Sequence, residues 1–309
     1  MENRIKVLVL MSTYNGEKYL KDQLDSILNQ KVTDNICVDI LIRDDGSTDS
    51  TTQIIIQYAK LYEYRIKYIL GENIGYIKSF FTLIQYADGY DYYALSDQDD
   101  IWMDNKILTA LQWMKYENND IPLLYGCTSY LIKNDLIPYG TTQTMKHSID
   151  FFNTIIQNYF PGHNQIMNQL LLNELKRKID CSKIYVHDSW ILNVAVVCGK
   201  AIFNNSPHTL YRQHDNNEVG FGKGKIDWVL QRLKRIRNGD AKKYYQQINY
   251  FFCIYKDKMT DLEINQLSLF IDSEHCFLKR VSSLFKLKFY RQTIIQTIMF
   301  RILYLIGGY

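Results

Sequence analysis

Three carboxylates fall within four positions at Asp97, Asp99 and Asp100, directly after the apolar run Tyr92-Tyr93-Ala94-Leu95. Such a run between polar flanks reads as a buried strand, and acids at its carboxyl end lie where open α/β sheets bind ligands. Carboxylates this close repel one another, and a bound cation relieves the repulsion. The plain alternative is a solvated turn in which Asp97 or Asp99 caps the next helix. Two more polar loops tip the balance, since each ends an apolar run in the same way. Ser12-Thr13-Tyr14-Asn15-Gly16 follows the run Val7 to Met11, and Asp44-Asp45-Gly46-Ser47-Thr48-Asp49 follows the run Ile36 to Arg43.

The elements that must position these loops alternate. Leu20, Leu24, Ile27 and Leu28 recur at helical spacing after the first loop, as do Ile54, Ile55 and Tyr58 after the second. A third strand over Ile66 to Leu70 and a helix burying Ile77, Phe80, Phe81 and Ile84 lead to the Tyr92 strand. This rhythm predicts an α/β fold with a mostly parallel sheet, right-handed crossovers and helices on both faces. It brings Thr13, Tyr14, Asn15, Asp44, Asp45 and the acids from Asp97 to Asp100 to one edge.

The residue types narrow the chemistry. A dinucleotide site needs Gly-x-Gly-x-x-Gly after the first strand, and Ser-Thr-Tyr-Asn-Gly stands there instead. A P-loop is absent. Asp44-Asp45-Gly46-Ser47-Thr48 imitates a phosphatase motif, but Arg43 occupies the place of the nucleophilic aspartate. Carboxylates without a glycine cradle repel a diphosphate unless a divalent ion intervenes, and Mn2+ or Mg2+ suits that role. The implied ligand is a nucleoside diphosphate held through a metal.

Ser-Thr-Tyr-Asn-Gly, Asp-Asp-Gly-Ser-Thr-Asp, Asn-x-Gly and Ser-Asp-Gln-Asp-Asp-x-Trp follow in that order. Together they resemble the inverting family 2 glycosyltransferases with the type A nucleotide-sugar fold, and the Ser96–Trp102 form resembles their bacterial rhamnosyltransferase branch. The resemblance covers residues 6 to about 118 and resumes at His187-Asp188-Ser189-Trp190 and Tyr211-Arg212-Gln213-His214, followed by Asn216-Asn217. It implies that Thr13, Tyr14, Asn15, Asp44, Asp45, Asp97 and Arg212 hold a dTDP- or UDP-linked sugar. Asp99 is implied as the principal metal ligand, with Asp97 and His214 beside it. Asp188 is implied as the general base that activates a glycan or lipid-linked acceptor. His187 replaces the customary glutamate and is left to orient Asp188, to touch the acceptor or to do nothing chemical, and Trp190 reads as packing more than as a sugar platform. Gly162-His163-Asn164 resembles, loosely, a loop over that side. The bland reading makes Asp188 a cap for a helix over Trp190 to Val197.

At 309 residues and 47% hydrophobic content, the chain is long enough for a large core and is no disordered protein. Its six cysteines show no Cys-x-x-Cys spacing and read as reduced, buried thiols. No signal peptide or clean bilayer span is legible, which predicts a cytoplasmic chain. The charge divides sharply. Residues 1–220 carry 20 Lys and Arg against 26 Asp and Glu, whereas residues 221–309 carry 16 against 7. We therefore divide the chain into a catalytic domain, 1–220, and a basic helical C-terminal region, 221–309. Helical repeats at Ile226, Val229, Leu230, Leu233 and Ile236, and an ending of mixed Ile, Leu, Phe and Arg, suit an interfacial helix at the inner membrane face or a homodimer contact. A packed helical subdomain is the plainer alternative. No nucleic-acid motif accompanies the basic residues. The implied activity is a metal-dependent inverting glycosyl transfer in cell-surface polysaccharide synthesis. The rival reading, an inactive nucleotide- or glycan-binding homologue, is weakened by the presence of both Asp99 and Asp188.

Overall fold

The computed structural model describes residues 4–214 and 239–307. The boundary at 220/221, the Asn216-Asn217 pair and the Ile226–Ile236 repeat lie outside the described residues. Strand β1 (Ile5–Thr13) runs parallel to β2 (Ile36–Asp44) on one side and to β4 (Tyr92–Ser96) on the other. Neighbours on both edges and helices on both faces explain why Val7 to Met11 is apolar without alternation. Strand β3 (Ile66–Leu70) extends the parallel set beyond β2.

The second half of the sheet is mixed. Strand β8 (Ile166–Asn168) inserts antiparallel between β4 and β6 (Leu123–Ile132). A long strand, β9 (Lys200–Arg212), runs parallel to β6 and bulges between Cys127 and Tyr130. It carries β5 (Ile101–Trp102) on its other edge, and β7 (Gly140–Thr141) pairs with β6. Among the described residues this makes one nine-stranded sheet in the order β3-β2-β1-β4-β8-β6-β9-β5, with β7 off the path. The parallel character expected from sequence therefore holds for β1 to β4 and gives way beyond β4.

Alternate residues of β1 feed two cores. Val7, Val9 and Met11 pack with α1 (Leu20–Leu28), α2 (Thr51–Leu61) and α4 (Lys106–Lys115). Leu8 and Leu10 pack with α3 (Tyr76–Tyr86), α5 (Phe151–Thr154), α6 (Gln169–Leu175) and α7 (His187–Cys198). The turn after β2 depends on Gly46. Its φ is +78°, and a Cβ there would lie 2.8 Å from the Asn73 nitrogen.

Four further helices follow: α8 (Asp240–Tyr255), α9 (Asp261–Ile271), α10 (Phe277–Leu284) and α11 (Ile294–Leu305). Helix α9 starts on a capping box between Thr260 and Glu263. These helices extend the core that contains Leu8 and Leu10, through Tyr245, Phe251, Phe270, Phe289, Phe300 and Tyr304. The Phe270 ring stacks on Tyr304 at 5.5 Å and on Phe300 at 6.4 Å. Gln292 adds a polar clamp, its carbonyl oxygen accepting from the Lys146 and His147 nitrogens at 2.8 Å. All six cysteines are free thiols, but only Cys127 is buried and Cys253 is exposed, contrary to the expectation that all are buried. Among the described residues no helix is long and apolar enough to cross a membrane.

Because Phe300 belongs to the sheet's own core, Phe300→Ala should lower the unfolding free energy of the whole chain by about 3–5 kcal/mol. Denaturant unfolding followed by tryptophan fluorescence measures this. A loss under 1 kcal/mol, or a separate early transition, would show the last helices folding apart from the sheet.

Candidate active site

The loops after β1 and β2 are locked together beneath the site. Thr13 donates its hydroxyl to Asp44 at 3.0 Å, and Asp44 also accepts from the Ser47 nitrogen and hydroxyl. Asp45 accepts from the Ile74 and Gly75 nitrogens, both at 2.9 Å, and pairs with the Arg43 guanidinium. Thr13, Asp44 and Asp45 are buried, with Thr13 and Asp44 meeting each other and Asp45 meeting Arg43 and the Ile74–Gly75 backbone. Asn15, at a positive φ of 47°, accepts from the Thr48 nitrogen at 2.8 Å and so ties the first loop to the second. Tyr14 is exposed on the same loop.

Gln98, which sequence reasoning passed over, fastens the third loop to the first. Its amide accepts from the Tyr14 nitrogen at 2.8 Å and donates to the Tyr14 oxygen at 3.0 Å. Gly16 permits this approach, since a Cβ there would lie 2.3 Å from the Gln98 carbonyl oxygen. A glutamine between two acids carries no local signal, because its partner is a backbone that only the fold brings near.

The three carboxylates then face three different partners. Asp99 meets His214, with Nε2 at 2.8 Å from the carboxylate, and the His214 ring stacks on Tyr19 at 5.3 Å. Arg212 holds this turn from behind. Its Nε donates to the Asp99 carbonyl at 2.9 Å, its Nη2 pairs with Asp22 at 3.1 Å, and its guanidinium lies 4.4 Å over the Tyr19 ring. Arg212, expected to bind the diphosphate, is thus buried as a brace of the acidic turn. Asp100 is fully buried and accepts from the Arg212 nitrogen at 3.1 Å. Burial pushes its carboxyl up, to about 7, with His163 opposing and Asp99 and Asp97 adding to the rise. Asp97, by contrast, faces His163, whose Nδ1 lies 3.7 Å from it and 3.6 Å from Asp100. Burial pushes the Asp97 carboxyl up, but His163, His187 and Lys106 outweigh it and hold it below the usual range.

Two donor sets could receive a cation. Asp99 and His214 present an oxygen and a nitrogen side by side at a half-buried point. Asp97, Asp100 and His163 bring three ligand atoms within 4.8 Å of one another. Asp97, expected beside Asp99 as a ligand, thus turns toward the second set. A carboxylate with an imidazole suits Mn2+ better than Mg2+, which favours oxygen alone.

His187 and Asp188 open α7, whose N-cap is Val186. The helix therefore starts three residues before the expected Trp190, and Asp188 lies inside its first turn instead of capping it. One Asp188 oxygen accepts from the Ser189 nitrogen at 2.7 Å. Burial raises this carboxyl above the usual range, partly offset by His187, the Ser189 N–H and the Asn158 side chain, and Asp97 is near enough to add to the rise. His187 is buried, stacked on Phe80 at 4.7 Å and edge-on to Tyr76 at 5.6 Å. Its Nε2 comes within 2.9 Å of where a Cβ on Gly162 would stand. Trp190 is fully buried, stacked on Tyr250 at 5.6 Å and edge-on to Phe251 at 5.3 Å. It packs α7 on α8 and reaches no acceptor.

Beneath the acids lies Lys106, which the sequence presents as an ordinary lysine at the start of a helix. It is fully buried and donates to the His163 oxygen at 2.6 Å, the Thr209 hydroxyl at 2.9 Å and the Asn164 carbonyl oxygen at 3.1 Å. The ammonium also sits 4.1 Å over the Trp102 ring. It therefore fixes the 3-10 turn Gly162–Asn164 and the end of β9 to α4.

A parallel half-sheet ending in carboxylates, with a histidine returned to them by the last strand, defines a type A nucleotide-sugar fold. The family model for "Glycosyl transferase family 2" matches residues 8–175. The chain is 32% identical over 253 residues to the dTDP-rhamnosyl transferase RfbG of Shigella flexneri, covering 75% of this chain and 84% of that protein. S. aureus TarS 1–349, solved in complex with UDP, superposes with a TM-score of 0.60 at 15% identity, over 92% of this chain and 76% of that one. The mannosyltransferase PcManGT from Pyrobaculum calidifontis, solved with GDP-Man and Mn2+, superposes with a TM-score of 0.54 at 15% identity, over 98% and 85%. These two share the fold. The chain belongs to glycosyltransferase family 2, and it is a glycosyltransferase.

Lys106 gives a test of the buried base of this site. Burial pushes its ammonium from 10.5 down to about 8. Between those values the unfolded chain binds the extra proton, so stability from this group rises with pH. Lys106→Met cannot titrate. From pH 8 to 10.5, wild type should therefore gain on the order of 3 kcal/mol relative to the variant. Parallel stability profiles for the two proteins would show that the ammonium is not penalised.

Proposed function

We propose that this chain is a metal-dependent, inverting enzyme that moves rhamnose from dTDP-rhamnose to a hydroxyl of a growing cell-surface polysaccharide or lipid-linked oligosaccharide. The observation that carries the reading is the meeting of Asp99 and His214 at 2.8 Å, on the sheet edge that Asp97 and Asp188 also border. The similarity to a dTDP-rhamnosyl transferase supports the sugar and its nucleotide, with UDP-linked hexoses the next choice. A neighbour in fold solved with Mn2+ supports the metal.

Asp99 and His214 would hold the ion, with Asp97 nearby, and the ion supplies positive charge for the departing diphosphate. Tyr14 and Asn15 border the nucleoside on the outer loop, while Thr13, Asp44 and Asp45 keep that loop in place. Asp188 takes the proton from the acceptor hydroxyl as its oxygen attacks the anomeric carbon opposite the leaving diphosphate. One displacement breaks the bond between the anomeric carbon and the diphosphate oxygen and forms the glycosidic bond to the acceptor, which inverts the centre. The raised carboxyl of Asp188 makes it a better proton acceptor than an ordinary aspartate and sets the acid limb of the rate above the usual carboxylate range. In this reading residues 1–220 carry the transfer, and the basic region from 221 keeps the cytoplasmic enzyme beside a membrane-bound acceptor.

Asp99→Asn should abolish Mn2+-dependent binding of dTDP while leaving the thermal midpoint unchanged. Calorimetry with and without the ion decides it, and undiminished metal-dependent affinity removes Asp99 from the ligand set. Asp188→Asn should keep donor affinity and lower transfer by about two to four orders of magnitude, with the acid limb of kcat lost. Near-normal turnover at saturating acceptor would leave Asp188 as a first-turn acid of α7 and nothing more.

A further inference from the structure

Helix α10 is built inside out. Its buried residue is Ser283, while Phe277, Leu278 and Val281, with Phe285 just beyond its end, are exposed. Helix α11 repeats the pattern. Phe300 and Tyr304 face the core, and Ile294, Ile295, Ile298 and Ile302 face outward, Ile294 with 79% of its surface accessible. On each helix the exposed apolar residues fall at i, i+1, i+4 and i+8, which is a single stripe. The two helices are joined through their inner sides. Arg280 donates to the Leu305 oxygen at 2.9 Å, and the Ser283 hydroxyl meets that of Tyr304. Both stripes therefore point away from the protein. Isolated exposed leucines need no account, but two adjoining helices that bury serine and tyrosine hydroxyls and expose isoleucine and phenylalanine do.

Charge identifies the occupant. Residues 275–309 contain Lys279, Arg280, Lys286, Lys288, Arg291 and Arg301 and no aspartate or glutamate. A second copy docking through the same face would set this positive field against itself. An anionic bilayer leaflet complements it and also accepts the apolar stripes. We propose that α10 and α11 dock the enzyme on an anionic lipid leaflet, with the isoleucine and phenylalanine stripes inserted and the exposed Lys279, Lys286, Lys288 and Arg301 at headgroup level, Arg280 and Arg291 being turned inward.

The face is coupled to the site. Gln296, in the first turn of α11, accepts from Gln157 Nε2 and the Tyr159 hydroxyl, each at 3.0 Å. Asn158 lies between those two residues and reaches Asp188 with its side chain. The docked helix thus borders the segment beside the general base, where a lipid-linked acceptor would arrive. Only that last step rests on the function proposed above. Removing residues 284–309 is no test, because it strips Phe289, Phe300 and Tyr304 from the core.

The experiment uses the full chain and vesicles of roughly 70% phosphatidylcholine and 30% phosphatidylglycerol. Wild type should co-sediment with them, bind pure phosphatidylcholine vesicles at least about tenfold more weakly, and weaken without vanishing at about 0.5 M salt. Leu278→Asp, Ile295→Asp and Ile298→Asp combined should lower binding by at least about tenfold, with an unchanged thermal midpoint and unchanged donor hydrolysis. Lys279→Glu, Lys286→Glu and Arg301→Glu combined should remove the preference for anionic vesicles, and this variant serves if the first does not fold. Equal binding of wild type to both vesicle types overturns the proposal. So does a dimer, seen by sedimentation velocity, that the apolar variant dissolves while vesicle binding is absent. Vesicle binding without glycosyl transfer would sink the proposed function and leave the face standing.

Discussion

Like charge crowded into one turn is the constraint that the rest of the molecule answers. Asp97, Asp99 and Asp100 leave β4 together, and each is met by a group returned from the mixed half of the chain. His163 comes from the turn before β8, His214 from the end of β9, and the Arg212 nitrogen from the last residue of that strand. The parallel half-sheet alone cannot supply these partners, because its own loops carry further acids at Asp44, Asp45 and Asp49. The mixed half of the sheet therefore does more than enlarge the core. It returns imidazole, guanidinium and backbone N–H groups to the point where repulsion is greatest. Arg212 shows the economy of this arrangement, since it braces the Asp99 carbonyl and Asp22 while Tyr19 packs against its guanidinium and the His214 ring together.

How legible this was in the sequence follows from distance along the chain. Strands β1 to β4 were readable because each is a short apolar run ended by a polar loop, and parallel pairing follows from the intervening helices. The loop residues Thr13 to Asn15, Asp44, Asp45 and Asp97 to Asp100 were found for the same reason. Strands β6, β8 and β9 were not, since β8 is only three residues long and β9 contains Asn204, Asn205, Ser206 and Pro207, which read as a loop. Lys106, Gln98 and Tyr19 escaped because their roles lie wholly in what they touch. A lysine that donates to a carbonyl contributed by a segment 57 positions away has no local signature.

Asp188 and His187 mark the limit of motif reasoning from the other side. The motif located them, yet the same four residues mix three physical roles. Asp188 lies near Asp97, His187 is sandwiched among Phe80, Tyr76 and Gly162, and Trp190 is core between α7 and α8. A helix covers all of its sides within four residues, so a contiguous motif at a helix start cannot lie on one face. Of the four residues only Asp188 is not buried.

The acidic front and basic end of the chain invite the idea that they attract each other, but the ion pairs between them, Lys258–Glu174 at 3.6 Å and Arg177–Asp257 at 3.8 Å, are partly exposed, and another contact is built differently. Residues 145–159 meet residues 290–296 mainly through amides and hydroxyls, with the Arg291 guanidinium donating to the Ile156 oxygen at 2.8 Å. Gln292 bridges Lys146 N, His147 N and Asn153, Gln296 bridges Gln157 and Tyr159, and the Asn153 amide donates to the Tyr290 oxygen. Tyr290 accordingly reaches Asp150 by its hydroxyl, not by a cationic side chain. Neutral hydrogen bonds over an aromatic core are little affected by salt, whereas ion pairs between opposed domains would be screened. Joining the two parts in this way does not draw on the carboxylates at the end of β4, whose partners are His163, His214 and Arg212.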